Sequence, residues 1–148
     1  MKNLIVLALV LTVTLSLDVV TDYDIPSYLG DWFEVASSPF VHSTFERNGY
    51  CVRARYGTND DGTLSVYNVQ RNKAPNGPIK SIDGYAFIPD STVPAKLRVH
   101  LNGAPKKGAN YWIVKLGPIV NGKYEWAIVS EPFKLFMWVL ARDPVIYR

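Results

Sequence analysis

Apolar and polar residues alternate in short runs along most of the chain, and clusters of Pro, Gly, Asn and Asp separate the runs. Eight runs rich in Val, Ile, Tyr, Phe and Trp read as strands: WFEVASS, YCVRARYG, TLSVYNVQ, SIDGYAFI, AKLRVHL, NYWIVKL, YEWAIVS and LFMWVLAR. No long stretch carries the period of a helix. Many short, evenly spaced strands predict an all-β sandwich or barrel. Nearly every strand leads into a short turn, so sequential antiparallel pairing is the simplest topology. In GTNDDGT, Asp-Gly lies between alternating runs and predicts a hairpin with Gly62 at positive φ. LGPIVNGKY and SEPFK read as tight links between late strands, and RNKAPNGP and IPDSTVP as Pro-rich connections. The connection SPFVHSTFERNG is longer and carries Phe40, Val41 and Phe45, which fits a lid at an open mouth.

Side chains two residues apart in a strand share a face. Leu97, Val99 and Leu101 therefore oppose Lys96, Arg98 and His100. Val52, Ala54 and Tyr56 oppose Cys51, Arg53 and Arg55, and Phe136, Trp138 and Leu140 form another apolar set. The charged faces belong in water. Leu64 and Val66 share their face with Asn68 and Gln70, which sets amides on a surface otherwise suited to a core. A buried amide without a partner costs a few kcal/mol. Asn68 either meets water near the strand end or offers a hydrogen bond to a ligand inside the barrel.

Trp32 opens the first run two residues after Gly30, and Arg142 closes the eighth more than a hundred residues later. In a closed barrel the first and last strands are neighbours, so the guanidinium can lie on the indole face. Such a contact contributes about 0.5–2 kcal/mol. A core-filling tryptophan and an unrelated surface arginine are the plainer alternative.

The beginning of the chain follows a different pattern. MKNLIVLALVLTVTLSLD has Lys2, an apolar run, and small hydroxyl residues before Asp18, the form of a secretory signal peptide. It is short for a bilayer span, which needs about 20 apolar residues. We therefore read residues 1–17 as a signal peptide and 18–148 as one barrel domain, with a secreted, extracellular destination. About 130 residues remain, enough for a sizeable core. No cysteine near the cleavage region offers a lipid anchor, and there is no Asn-x-Ser/Thr site. The net charge of +3 is spread along the chain without a basic cluster, which argues against nucleic acid despite the many aromatics. The lone cysteine, Cys51, has no partner in the chain for a disulfide. No nucleophile elbow, zinc-protease motif or phosphate loop is present, His42 and His100 are isolated, and nothing calls for a metal or cofactor.

YLGDWFEVAS and WVLARDP resemble the first and third motifs of the lipocalin family. RNGYCVRARYGTNDDGTLSVYNVQ and DGYAFIPDSTVPAKLRVHL are similar to its apolipoprotein D and bacterial Blc-like branch. The resemblance runs from about Tyr23 to Pro144. It implies an eight-stranded up-and-down antiparallel barrel, closed at one end, whose cup holds a small hydrophobic molecule such as a fatty acid, lysolipid or steroid. It makes Gly30, Trp32 and Arg142 structural residues of the closed end. It matches Tyr56, Asn68 and Trp138 to positions that face the ligand in apolipoprotein D-like members; Phe136 and Val99 join them by alternation. Peripheral contact with a membrane or lipoprotein is a second candidate partnership.

Three features depart from the family. Its Thr-Asp-Tyr motif between the sixth and seventh strands is replaced by KLGPIVNGKY. The C-terminal helix that packs outside the barrel is missing from the sequence, which is expected to leave an apolar patch exposed. Cys51 matches a cysteine that in relatives is bonded to that tail. Two further functional readings stand beside the transport cup. One is a thiol-dependent lipid isomerase of the prostaglandin D synthase type, which needs Cys51 turned inward by a register change. The other is a protein-interaction barrel with a vestigial cup. Alternation sets Cys51 with Arg53 and Arg55, away from Tyr56, and favours a non-enzymatic protein.

Overall fold

The computed structural model describes residues 17–105 and 107–146. The expected signal peptide thus lies outside the described residues except for Leu17. The described residues form two short helices and ten strands in the order α1 (Ile25–Tyr28), β1 (Gly30–Ser37), α2 (Pro39–Ser43), β2 (Gly49–Thr58), β3 (Leu64–Asn72), β4 (Ile79–Phe87), β5 (Lys96–Leu101), β6 (Ala109–Leu116), β7 (Ile119–Val120), β8 (Lys123–Tyr124), β9 (Trp126–Ser130) and β10 (Met137–Ala141). Eight of them close into an antiparallel barrel in the order β1-β10-β9-β6-β5-β4-β3-β2, and β7 and β8 form a separate hairpin. Apart from that hairpin, each strand pairs with its neighbours in sequence, and the barrel shuts where β1 meets β10.

The expected faces follow the barrel wall. Trp32 pairs with Ala54, Ala54 with Asn68, and Asn68 with Ile82, so one row of side chains runs across four strands. Tyr67 and Tyr85 point outward and are exposed. The core fills the half of the barrel where β1 begins, with Trp32, Leu64, Val66, Leu97, Ile113, Val129 and Leu140 all buried. Gly62 in the β2–β3 turn takes a φ of +83°.

Three register shifts break the alternation: between Glu34 and Ala36 on β1, between Ile113 and Lys115 on β6, and between Tyr50 and Arg53 on β2, where Cys51 has a φ of +54°. β1 and β2 are paired only from Gly30↔Tyr56 to Phe33↔Arg53. Beyond Phe33 the two strands part, and a cleft of about 210 Å³ opens between them, with Glu34, His42 and Cys51 among its lining. LGPIVNGKY, read as a simple link, instead forms the β7–β8 hairpin, because Asn121 and Gly122 both take the positive φ that a two-residue turn requires. Among the described residues, no helix is long and apolar enough to cross a membrane.

Candidate functional site

The two ends of the barrel are built from different chemistry. At the end where β1 begins, α1 crosses the opening. Asp24 caps α1, its carboxylate accepting from the Ser27 backbone N–H at 2.8 Å, and Pro26 in the first turn fits the helix start. Trp32 is fully buried and donates its indole N–H to the Tyr28 carbonyl at 2.8 Å. The Arg142 guanidinium lies 3.6 Å from the Trp32 ring centre. It also donates to the carbonyls of Ser27, Tyr28 and Leu29 at 2.9–3.1 Å, to that of Asp31, and to that of Tyr124 at 3.1 Å. A short helix leaves its last carbonyls without partners, and one planar cation here serves several of them. Gly30 makes the approach possible. Its φ is +105°, and a β-carbon there would sit 3.4 Å from the guanidinium.

Three tyrosines complete this floor. Tyr111 shares hydrogen bonds with Tyr28 at 2.7 Å and with Tyr56 at 2.9 Å, and the Tyr28 and Tyr56 rings stack. Burial pushes Tyr56 up to about 12 and raises Tyr28 and Tyr111 well above the ordinary tyrosine value, so all three are neutral donors and acceptors. The hairpin that replaces the family's Thr-Asp-Tyr loop is tied into the same floor. The Tyr124 hydroxyl accepts from the Asp24 backbone N–H at 2.9 Å, and Lys123 donates to the Pro26 carbonyl at 2.7 Å.

The opposite end is a mouth of aromatics. Glu131 accepts backbone N–H bonds from Phe133, Leu135 and Phe136, and so shapes the turn that leads into β10. That turn delivers Phe136 stacked on Trp138, with ring centres 6.4 Å apart. Phe40 and Phe45, from the connection after β1, pack on Phe136 at 6.0 and 5.1 Å. The connection is anchored by the fully buried Val41 of α2. Phe40, Phe45, Phe133 and Leu135 are all exposed.

Glu46, in the same connection, turns inward and is 9% exposed. Its Oε1 accepts the Trp138 indole N–H at 3.1 Å. Its carboxyl neighbours that of Glu34 closely enough to raise it. Desolvation, and then the neighbouring Glu46 carboxyl, push Glu34 up to about 8. At neutral pH the fold therefore favours the protonated form of Glu34. Oε2 of Glu34, Oε2 of Glu46 and Oδ1 of Asn68 are buried and meet no donor among the described residues.

The residues singled out from sequence thus divide by height. Phe136 and Trp138 are together at the mouth. Asn68 lies on β3, level with Trp32 and Ala54. Val99 lies on β5 opposite Ala86 and Ala109, half-buried against the core. Tyr56 sits lowest, committed to the tyrosine trio. Gly30, Trp32 and Arg142 meet at the floor. Cys51 is exposed on the β2 bulge. Sequence reasoning missed the Glu34–Glu46 pair. Alternation from Trp32 already put Glu34 on the inward face, but nothing local to Glu46 marked it as buried.

A family model described as a lipocalin-like domain matches residues 23–148. Temperature-induced lipocalin-1 of Arabidopsis thaliana is 32% identical over 133 residues, covering 85% of this chain and 66% of that protein. Outer membrane lipoprotein Blc of Escherichia coli (strain K12) is 34% identical over 128 residues, 86% of this chain and 67% of that protein. Apolipoprotein D of Rattus norvegicus is 29% identical over 132 residues, 84% and 64% of the two chains. This chain spans about two thirds of the length of these relatives. Among solved structures, apocrustacyanin C2 aligns with a TM-score of 0.58 at 15% identity, covering 81% of this chain and 63% of that one. The cockroach allergen Per a 4 aligns with a TM-score of 0.57 at 16% identity, covering 83% and 71%. At these identities the likeness is one of fold.

Proposed function

This chain belongs to the lipocalin family, and on that premise we propose that it is a non-enzymatic carrier that holds a small hydrophobic ligand inside its barrel. The observation that carries the reading is the contrast in height: a sealed floor under Trp32, and above it a mouth where aromatic side chains and buried oxygens without donors face inward. A fatty acid, lysolipid, steroid or similar molecule would rest on Trp138, Phe136 and Val99, with Asn68 as a polar contact and Tyr56 at the bottom of its path. A ligand burying about 350 Å² of apolar surface gains roughly 9 kcal/mol before costs, and ordering removes several of these, so micromolar affinity is expected. An apolar fluorescent probe tests the reading. It should accept energy from Trp138 more than from Trp32, and natural lipids should displace it. A probe that binds without perturbing Trp138 contradicts it.

Residues 1–17 are proposed to direct export and to be removed, so N-terminal sequencing of secreted material should begin near Asp18. Recovery of Met1 on exported protein would overturn this. The exposed Phe40, Phe45, Phe133 and Leu135 around the mouth support peripheral contact with a lipid surface such as a membrane or lipoprotein. Co-sedimentation with phospholipid vesicles should fall when Phe133 and Leu135 are both changed to Ser.

A further inference from the structure

Three buried side-chain oxygens are left over along the inner wall. Oε2 of Glu34, Oε2 of Glu46 and Oδ1 of Asn68 meet no donor among the described residues. Glu46 is more than nine-tenths buried, and its other oxygen is already held by Trp138. The neighbours of the pair supply little positive charge. Ser37 is neutral, and its hydroxyl is 3.0 Å from His42 Nε2. The cleft that reaches Glu34 between β1 and β2 has no lysine or arginine in its lining. Arg53 and Arg55 are engaged outside the wall with Phe33 and Asp31. Lys80 is exposed on β4, three strands from β1. A ligand carboxylate brought to this place would meet two acids and an amide oxygen. A group that donates hydrogen bonds and carries positive charge would meet what it needs.

We infer that Glu34 and Glu46, with the Asn68 carbonyl oxygen further along the wall, form a head-group subsite for a protonated amine, so that the preferred occupant of the cup is an apolar chain or ring system bearing an ammonium group rather than a carboxylate. The inference rests on the reading of the barrel as a ligand cup. An ammonium group carries three donors and a positive charge, which is what these buried oxygens without donors call for. Its arrival lets Glu34 ionise. One ammonium ion enters, one proton leaves to solvent, and no covalent bond changes. The cleft between β1 and β2 gives that proton a route out. Trp138 keeps its bond to Glu46 throughout, and its ring lies beside the first carbons of the chain.

The test compares dodecylamine, dodecanol and dodecanoic acid by titration calorimetry on the full chain, at about pH 6.5 and in two buffers of different ionisation enthalpy. The amine should bind at least about tenfold more tightly than the acid and release about one proton per ligand. In Glu34→Gln and Glu46→Gln the preference should shrink to about twofold and the proton release should vanish, with dodecanol binding retained. Acid binding as tight as amine binding, no proton release in the unsubstituted protein, or an amine preference that survives both substitutions would each overturn the inference. If all three chains bind alike, the cup stands and the head-group subsite falls. If none binds, the cup reading falls and takes the subsite with it. Should a Gln variant lose dodecanol binding through misfolding, the amine-to-acid ratio and the proton count of the unsubstituted protein still decide the question.

Discussion

At the floor of the barrel, Arg142 meets five carbonyls and an indole face, and three tyrosines satisfy one another's hydroxyls. At the mouth, buried oxygens of Glu34 and Glu46 meet no donor among the described residues, and several large aromatics face water. Both ends combine aromatic rings with polar groups, and what separates them most is whether those polar groups are satisfied. The floor uses its polar groups to complete the fold, and the mouth holds polar groups in reserve, which costs stability and leaves chemistry available for a visitor.

The comparison is broken most severely at the floor. Arg142→Ala should lower stability by about 3–5 kcal/mol, because it strands buried carbonyls as well as removing the indole contact. Thermal unfolding should move down by roughly 10 °C or more, while probe affinity stays within a few-fold. A large affinity loss with unchanged stability would mean that the floor itself binds ligand. The next effect belongs to the mouth and depends on pH. The folded-state value of Glu34 is raised to about 8 from the ordinary 4.5, so the fold favours its protonated form. The associated stability is fully present below the unfolded value and is lost as pH rises from about 4.5 through about 8. Denaturant unfolding should show a loss of about 1–3 kcal/mol over that range, flattened in Glu34→Gln.

Trp138→Ala should weaken binding of an apolar probe by about 1–3 kcal/mol, with a smaller effect on unfolding than Arg142→Ala. Asn68→Leu should sharpen the contrast at single-atom level. It should weaken ligands carrying a hydroxyl or amine by about 1 kcal/mol and hardly change a plain hydrocarbon. The smallest effect is expected for Cys51→Ser, since the thiol is exposed on a bulge. Probe titration should be unchanged, and a thiol-dependent isomerase activity abolished by this substitution would reverse the non-enzymatic reading.

Much of the architecture was legible because strand periodicity is a local signal. Leu97, Val99 and Leu101 against Lys96, Arg98 and His100 fix a face without any knowledge of partners. The pairing of Trp32 with Arg142 was legible for a different reason, since closing a barrel forces the first and last strands together. The β7–β8 hairpin was missed because strands of two residues have no period to read. The bulge at Cys51 was hidden in the same way, since YCVRARYG alternates smoothly on paper while the backbone gains a residue against Gln70. Glu46 was illegible because its burial depends on how a connection folds back over the mouth, which no spacing rule encodes.

The meeting of Arg142 with the carbonyl of Tyr28 spans 114 residues of chain. A protein made from its N-terminus therefore completes β1 early and holds one edge of that strand without its partner until β10 has been synthesised. Such an edge invites pairing with another chain, and a topology this non-local folds in milliseconds to seconds rather than microseconds. During that interval the Glu34 carboxyl lies along the waiting edge, where a charge discourages a stranger from docking. The acid that is buried in the finished barrel thus guards the unfinished one.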